Sequence, residues 1–309
     1  VFGRNFIGLE VRRQGLRAVS IKRSGRRRVL CGGQTLTLSE GVVAPTAREA
    51  NVLKPQVFVD ALKDILSPLT GREDRIALCL PDAAGHVFLL DLETTFKNRR
   101  QGMDVVRWQL KELLPDSYKN IAIDFQALGQ RESGSSRVLV SAIDQQVRRQ
   151  YEELLAEAGF SAALIDFQSL QIYNCFRSQM ELGADFIFVG LNQQQLSLLS
   201  VQNGILDFHR AKAGMVDAAT VFQEINRSLV TYRSAHSVYA RSTLYLQTDW
   251  PENQELHAAV TSAFDRPVQE LPSPLLSLVT PQKLNLSAAD AAGMAAAIGV
   301  AENLMWVRG

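Results

Sequence analysis

The stretch DFIFVGLNQQQLSLLSVQNGILDFHRA, residues 185–211, decides how this chain is read. It holds three apolar runs, 185–189, 196–201 and 205–211. Asn203-Gly204 makes a tight turn between the last two, because this pair accepts the positive φ angles of a two-residue hairpin. Alternation in the middle runs marks sheet rather than helix. The same theme opens the chain. Residues 5–11, 16–22 and 28–38 are strand-like, with turns at Gln14-Gly15 and Ser24-Gly25. A helix and a short strand follow each meander: 55–65 and 75–80 after the first, 221–233 and 243–247 after the second. Pro55 suits an early helical position. A helix at 253–264, a strand at 267–271 and an Ala-rich helix at 288–304 complete the second set. The chain is a duplicated lobe, not a short-period repeat.

Between the two sets lie a strand at 86–92, a helix at 105–114 closed by Pro115, and a strand at 121–128. A polar loop at 131–136, a strand at 137–142, a helix at 145–158 and a strand at 162–166 follow. The β-α-β-β-α-β order is that of a ferredoxin-like unit. The expected division is a first lobe at 1–85, an inserted subdomain at 86–167 and a second lobe at 168–309. The C-terminal helix can return to the first lobe.

Hydrophobic residues make up 46% of the 309 and charged residues 21%, which implies a sizeable core and excludes wholesale disorder. A net charge of +1 argues against a general nucleic-acid binder, whose affinity needs a concentrated basic surface. The charge is uneven, however. Nine Arg and Lys residues crowd the first thirty positions, where Glu10 is the only acid. They make either a solvated hairpin or a patch facing anionic lipid or an acidic partner. Cys31, Cys79 and Cys175 lie far apart beside apolar runs, as reduced, core-filling thiols would. There is no signal-peptide pattern and no apolar run of about 18 residues.

A meander, helix and strand repeated in two lobes resembles the actin-like ATPases. The insert resembles their FtsA and PilM branch, and several stretches are similar to the PilM family of type IV pilus assembly proteins. These are Gly8-Leu9-Glu10-Val11, residues 110–115 (LKELLP), residues 124–128 (DFQAL), residues 158–166 (AGFSAALID) and residues 224–229 (EINRSL). The resemblance implies an α/β, actin-like (ribonuclease H-like) two-lobed fold with a ferredoxin-like insert.

The resemblance also implies a nucleotide site, in which two hairpins wrap the phosphates of ATP and an Asp in each organises Mg²⁺. Glycine there lets backbone N–H groups approach closely. In the first hairpin the family's Asp is replaced by Glu10 and its glycine by Arg12, while Arg17 stands at the Lys position. Arg12 and Arg13 read as solvated turn residues, with a phosphate grip as the alternative. In the second hairpin Gly190 remains, but the Asp has become Phe188, which cannot bind a metal or its waters. Thr248-Asp249 replaces the Gly-Gly pair of the adenosine region, putting two Cβ atoms where nucleotide would approach. Gly299 remains in the last helix, where it reads as a packing glycine.

His86, His209, His236 and His257 are not paired at metal-ligand spacing, and no catalytic constellation stands out. The expected function is therefore a scaffold without ATP hydrolysis, cofactor or metal, at the cytoplasmic face of the bacterial inner membrane. The resemblance implies a PilN-like inner-membrane partner whose short cytoplasmic peptide docks beside the insert, together with other pilus platform or motor components. The alternatives are an ATPase using ATP and Mg²⁺, or the cytoplasmic part of a GspL-type secretion protein or an MSHA-type pilus protein.

Overall fold

The computed structural model describes residues 4–25, 27–93, 96, 98–114, 120–131, 133–180, 185–235, 241–250, 253–279 and 286–307. Pro115 and His236 lie outside them. The first half comprises β1 (Asn5–Arg12), β2 (Gly15–Ser24), β3 (Arg27–Thr37), α1 (Pro55–Thr70), β4 (Arg75–Leu80), β5 (His86–Leu92), α2 (Arg99–Leu113), β6 (Ile121–Gln130), β7 (Ser136–Asp144), α3 (Gln145–Glu157) and β8 (Ser161–Phe167). The second comprises α4 (Gln168–Phe176), β9 (Phe186–Asn192), β10 (Gln195–Gln202), β11 (Ile205–Ala213), α5 (Ala218–Ala235), β12 (Thr243–Thr248), α6 (Gln254–Phe264), β13 (Gln269–Glu270), α7 (Ala288–Ala292) and α8 (Ala295–Val307).

Strand β1 shows how a lobe is assembled. Side chains alternate across a strand. Ile7, Leu9 and Val11 enter a core closed by α1 and α3. Gly8, Glu10 and Arg12 face the opposite way. At Gly8 a Cβ would collide with the Ala297 carbonyl of α8, so glycine lets the helix sit directly on the strand. Helices cover both faces, which is why β1 is buried from Ile7 onward.

The duplication is visible in the sheets. One runs β3-β2-β1-β4-β8 and the other β11-β10-β9-β12-β13. In each, an antiparallel meander carries two parallel strands on its first member. In β9, Ile187, Val189 and Leu191 pack under α5 and α6, while Phe186 and Phe188 face the other lobe. They enter a core shared with Val19, Ile21, α4 and α8, and α8 packs against β1, β2 and β4.

Five expectations are corrected. The strand expected to close the insert, β8, pairs in parallel with β4 instead. The insert's own sheet has three strands, β5-β7-β6, with α2 over it. Helix α3 likewise joins the first lobe's core, because Val147, Tyr151, Leu154 and Leu155 face α1 and not α2. The Ala-rich segment is two helices, broken at Gly293. There a Cβ would collide with the Arg17 guanidinium, which bonds the Gly293 carbonyl at 2.8 Å. Finally, α2 starts at Arg99, where Asn98 caps Gln101 N–H at 3.0 Å, and α1 continues past 65 through Pro68 to Thr70.

Gly299 faces α4, where a Cβ would collide with the Gln171 carbonyl. Gly8→Ala and Gly299→Ala are each expected to lower the unfolding free energy by about 1–3 kcal/mol, the usual cost of overpacking. Urea denaturation followed by circular dichroism checks this, and an unchanged midpoint for either would contradict the packing described.

Candidate functional site

The β1–β2 and β9–β10 hairpins meet between the lobes. In the first, Glu10 and Arg17 are direct cross-strand partners, and Arg12 lies one pleat beyond Glu10 on the same face. Three charged side chains are thus aimed at one place. Arg12 Nη2 donates to Asp249 Oδ2 at 2.9 Å, and Arg17 Nη1 donates to the same oxygen at 3.1 Å. From the second hairpin, Gln193 N–H donates to Asp249 Oδ1 at 2.7 Å. Gln193 adopts a φ of 53° at the hairpin tip, which turns its N–H toward the carboxylate. Glu10 accepts from Gln168 Nε2 at 2.6 Å.

All these charges are buried: Glu10 is 1% exposed, Arg12 6%, Arg17 7% and Asp249 9%. Two cations balance two carboxylates. Burial pushes Glu10 above the usual carboxylate range against the pull of Arg12 and Arg17. Burial also lowers Arg12, opposed by Glu10 and Asp249.

The eight sequence candidates therefore separate. Glu10, Arg12, Arg17 and Asp249 form one cluster. Arg12 is a correction, since it was expected in solvent and is instead an inter-lobe ion pair; Arg13 is exposed. Phe188 is fully buried, edge-on to Tyr173 of α4 at 6.4 Å. Gly190 is its neighbour on the same face, where a Cβ would stand 3.1 Å from the Phe188 ring. Thr248 ends β12, and its hydroxyl accepts from Trp250 N–H at 3.1 Å. Gly299 lies apart, in the α4–α8 contact.

Sequence reading missed α4 and what it carries. No turn separates α4 from β8, so the periodicity gave no boundary. Besides Gln168, α4 supplies Ser169, whose N–H donates to Asp82 Oδ2 at 2.9 Å. The Ser169 hydroxyl bonds Asp82 as well, and His209 Nε2 lies 2.7 Å from that hydroxyl. Gln195 Nε2 donates to Asp82 Oδ2 at 2.5 Å. Although the residue types are Ser, His and Asp, Ser169 is fully buried and its hydroxyl is committed to the carboxylate, so no substrate reaches it. Burial lowers His209, with Asp82 opposing. Among the described residues, no group of three His, Cys, Asp or Glu is placed to hold a metal ion.

The cleft residues do not fit Mg·ATP. The hairpin N–H and both guanidiniums, the groups suited to a phosphate, are engaged by the Asp249 carboxylate. Phe188 offers no oxygen ligand.

A second feature lies outside the cleft. A groove of about 220 Å³ runs between the insert and the first lobe, lined by Ile123, Asp124, Ile143, Arg148, Ala163 and Ile165 among others. Its walls include β6 and β8, each the edge strand of its sheet. At the end of β8, Asp166 accepts from Phe167 N–H at 2.8 Å and Gln171 Nε2 at 2.5 Å. Burial pushes it from 3.8 up to about 6.

No family model and no curated protein matches this sequence. Solved structures do match. A chain of a PilM–PilN type IV pilus biogenesis complex superposes with a TM-score of 0.80 at 16% identity, over 96% of this chain and 98% of that one. A Bacteroides thetaiotaomicron protein of actin-like ATPase fold and unknown function matches with a TM-score of 0.56 at 9% identity, over 89% and 95%. The cytoplasmic domain of EpsL, an inner-membrane component of the Vibrio cholerae type II secretion system, matches with 0.53 at 9%, over 98% and 95%. The chain is thus a protein of actin-like fold. Its architecture is similar to that of the matched chain of the PilM–PilN complex.

Two outcomes follow for the buried charges. Asp249→Ala leaves two buried guanidiniums with Glu10 as the one remaining carboxylate of the cluster and is expected to cost about 3–5 kcal/mol. Breaking the partly exposed Arg148–Glu152 pair should cost less than about 1 kcal/mol. Urea unfolding of both variants makes the comparison. For Asp166, the folded state keeps its proton to higher pH than the unfolded chain. Its stabilising contribution is therefore present below 3.8 and lost as pH rises through about 6, by at most about 3 kcal/mol. Glu10 and Glu302 shift in the same direction and His209 in the opposite one. Unfolding curves of Asp166→Asn and the parent between pH 4 and 7 isolate the Asp166 share, and parallel pH profiles would refute it.

Proposed function

We propose that this chain is a non-catalytic scaffold of a bacterial pilus-assembly or secretion platform. It holds a short cytoplasmic peptide of an inner-membrane partner in the groove between β6 and β8. The observation that carries this reading is the groove itself. Two edge strands border it, so an extended peptide can bond their backbones while its apolar side chains enter beside Ile123, Ile143 and Ile165. The architecture shared with a chain of a PilM–PilN complex supports a PilN-like partner. Such docking places the chain peripherally on the cytoplasmic face of the membrane. Among the described residues no helix is long and apolar enough to cross a membrane. The Asp249 cluster supports a protein whose lobes are held by its own charges, without ATP, Mg²⁺ or another cofactor.

Calorimetric titration with synthetic peptides from the N-terminal cytoplasmic segment of a PilN-like partner tests the groove. Micromolar binding is expected, and Ala163→Arg, which fills the groove with a long cation, should weaken it at least tenfold. Equal binding by the variant would place the peptide elsewhere. A parallel titration with Mg·ATP should show no heat at millimolar nucleotide. Saturable micromolar binding would instead establish a nucleotide-gated protein.

A further inference from the structure

Ten large hydrophobic side chains are exposed among the described residues, and three of them gather at one end of the first lobe. Trp306, 63% exposed, projects from the last turn of α8. The Arg23 guanidinium lies 5.5 Å from its ring centroid, so a cation from the β2–β3 hairpin sits over the indole. On the outer edge of β3, Val279 exchanges backbone bonds with the hairpin. Its N–H donates to Arg28 O at 2.9 Å, and its carbonyl accepts from Leu30 N–H at 2.9 Å. Leu276, 77% exposed, stands next to Ser277, whose carbonyl accepts from Arg28 Nη2 at 3.4 Å. Trp306, Leu276 and Val279 thus flank a hairpin that carries Lys22, Arg23, Arg27 and Arg28.

The charge there is unbalanced. Of the four cations only Arg28 is ion-paired among the described residues, to Glu302 at 2.5 Å. Arg23 and Arg27 are exposed and Lys22 is half-buried. Register puts Arg23 opposite Arg28, with Lys22 and Arg27 on the other face of the ribbon. Cations on both faces of the ribbon, beside an exposed indole and two aliphatic side chains, make a poor folding surface. Like charges repel across the strands, and the apolar groups stay wet.

We infer that the β2–β3 hairpin tip, with Trp306, Leu276 and Val279, rests on an anionic lipid bilayer. The chemistry matches that surface in both its parts. Lys and Arg are drawn to anionic headgroups, and an indole settles at headgroup depth with its apolar body inward. Cations on both faces of the ribbon, with an exposed indole and two exposed aliphatic side chains beside them, suit a plane of headgroups, which takes both kinds of group at once. The inference rests on the proposed function only in placing the chain beside a membrane, and it adds a contact that needs no partner.

The test uses the full chain without any partner peptide, so the result does not depend on the groove. Sedimentation with vesicles of phosphatidylcholine, with and without phosphatidylglycerol, measures binding. The parent protein is expected to bind the anionic vesicles, to ignore the neutral ones and to be released by salt. Each cation near the surface contributes about fivefold in affinity, so K22E/R23E/R27E should lose at least about a hundredfold. These side chains are not part of the core, and circular dichroism should show the variant folded. The fluorescence of the parent should shift to the blue on anionic vesicles, and Trp306→Phe should remove that shift while Trp108 and Trp250 remain. Equal sedimentation with both vesicle types, no binding to either, or undiminished binding by the triple variant would overturn the inference. So would binding of an acidic polymer such as polyglutamate in preference to the anionic vesicles.

Discussion

One carboxylate joins the two halves of this protein. Asp249 follows the last residue of β12 and accepts a hydrogen bond from each strand of the first hairpin and from the tip of the second. A buried carboxylate is costly unless its lone pairs are met, and here they are met by groups from both lobes. Arg17 extends the constraint by bonding the Gly293 carbonyl. That contact breaks the last segment into α7 and α8 and sets where α8 begins. Gly8 and Gly299 then let α8 lie against β1 on one side and α4 on the other.

Behind the charges the lobes share a hydrophobic core. Val19 and Ile21 from the first sheet, Phe186, Phe188 and Leu199 from the second, and the Ala-rich face of α8 belong to one cluster. Opening the lobes would bring these side chains into water and also strip the ion cluster of its partners. Phe188 does two things in this arrangement. It removes an oxygen ligand from the place where the resemblance expects one, and it fills the space with ring contacts to α4. The missing oxygen ligand and the filled space are one substitution seen from two sides.

The insert is tied to the second lobe as well. Arg131 and Arg137 both reach Asp207 on β11, and the close approach of Gly129 to Ile205 leaves little room between β6 and that strand. One wall of the groove is thus braced against the second lobe, while the other wall, β8, belongs to the first sheet. A groove between two braced edges is preorganised, which lowers the entropy that the proposed peptide would lose.

By itself the sequence determined the duplication, because the meanders have period-two alternation and Gly-containing turns that depend only on local geometry. It also determined that Phe188 cannot serve a metal, since residue identity settles that. Strand membership was not legible. Residues 161–167 look the same whether they close the insert or join β4, because both alternatives bury the same apolar pattern. Arg12 was misread for a related reason: an arginine in a turn is solvated unless a carboxylate distant in the chain arrives to bury it, and Asp249 is 237 residues away. The break at Gly293 and the roles of Gln168 and Ser169 were equally invisible, since each depends on a partner in the other half of the molecule. Sequence sets what each segment can form. Only the tertiary structure brings opposite charges and edge strands together, because those energies depend on distances in space that no local pattern encodes.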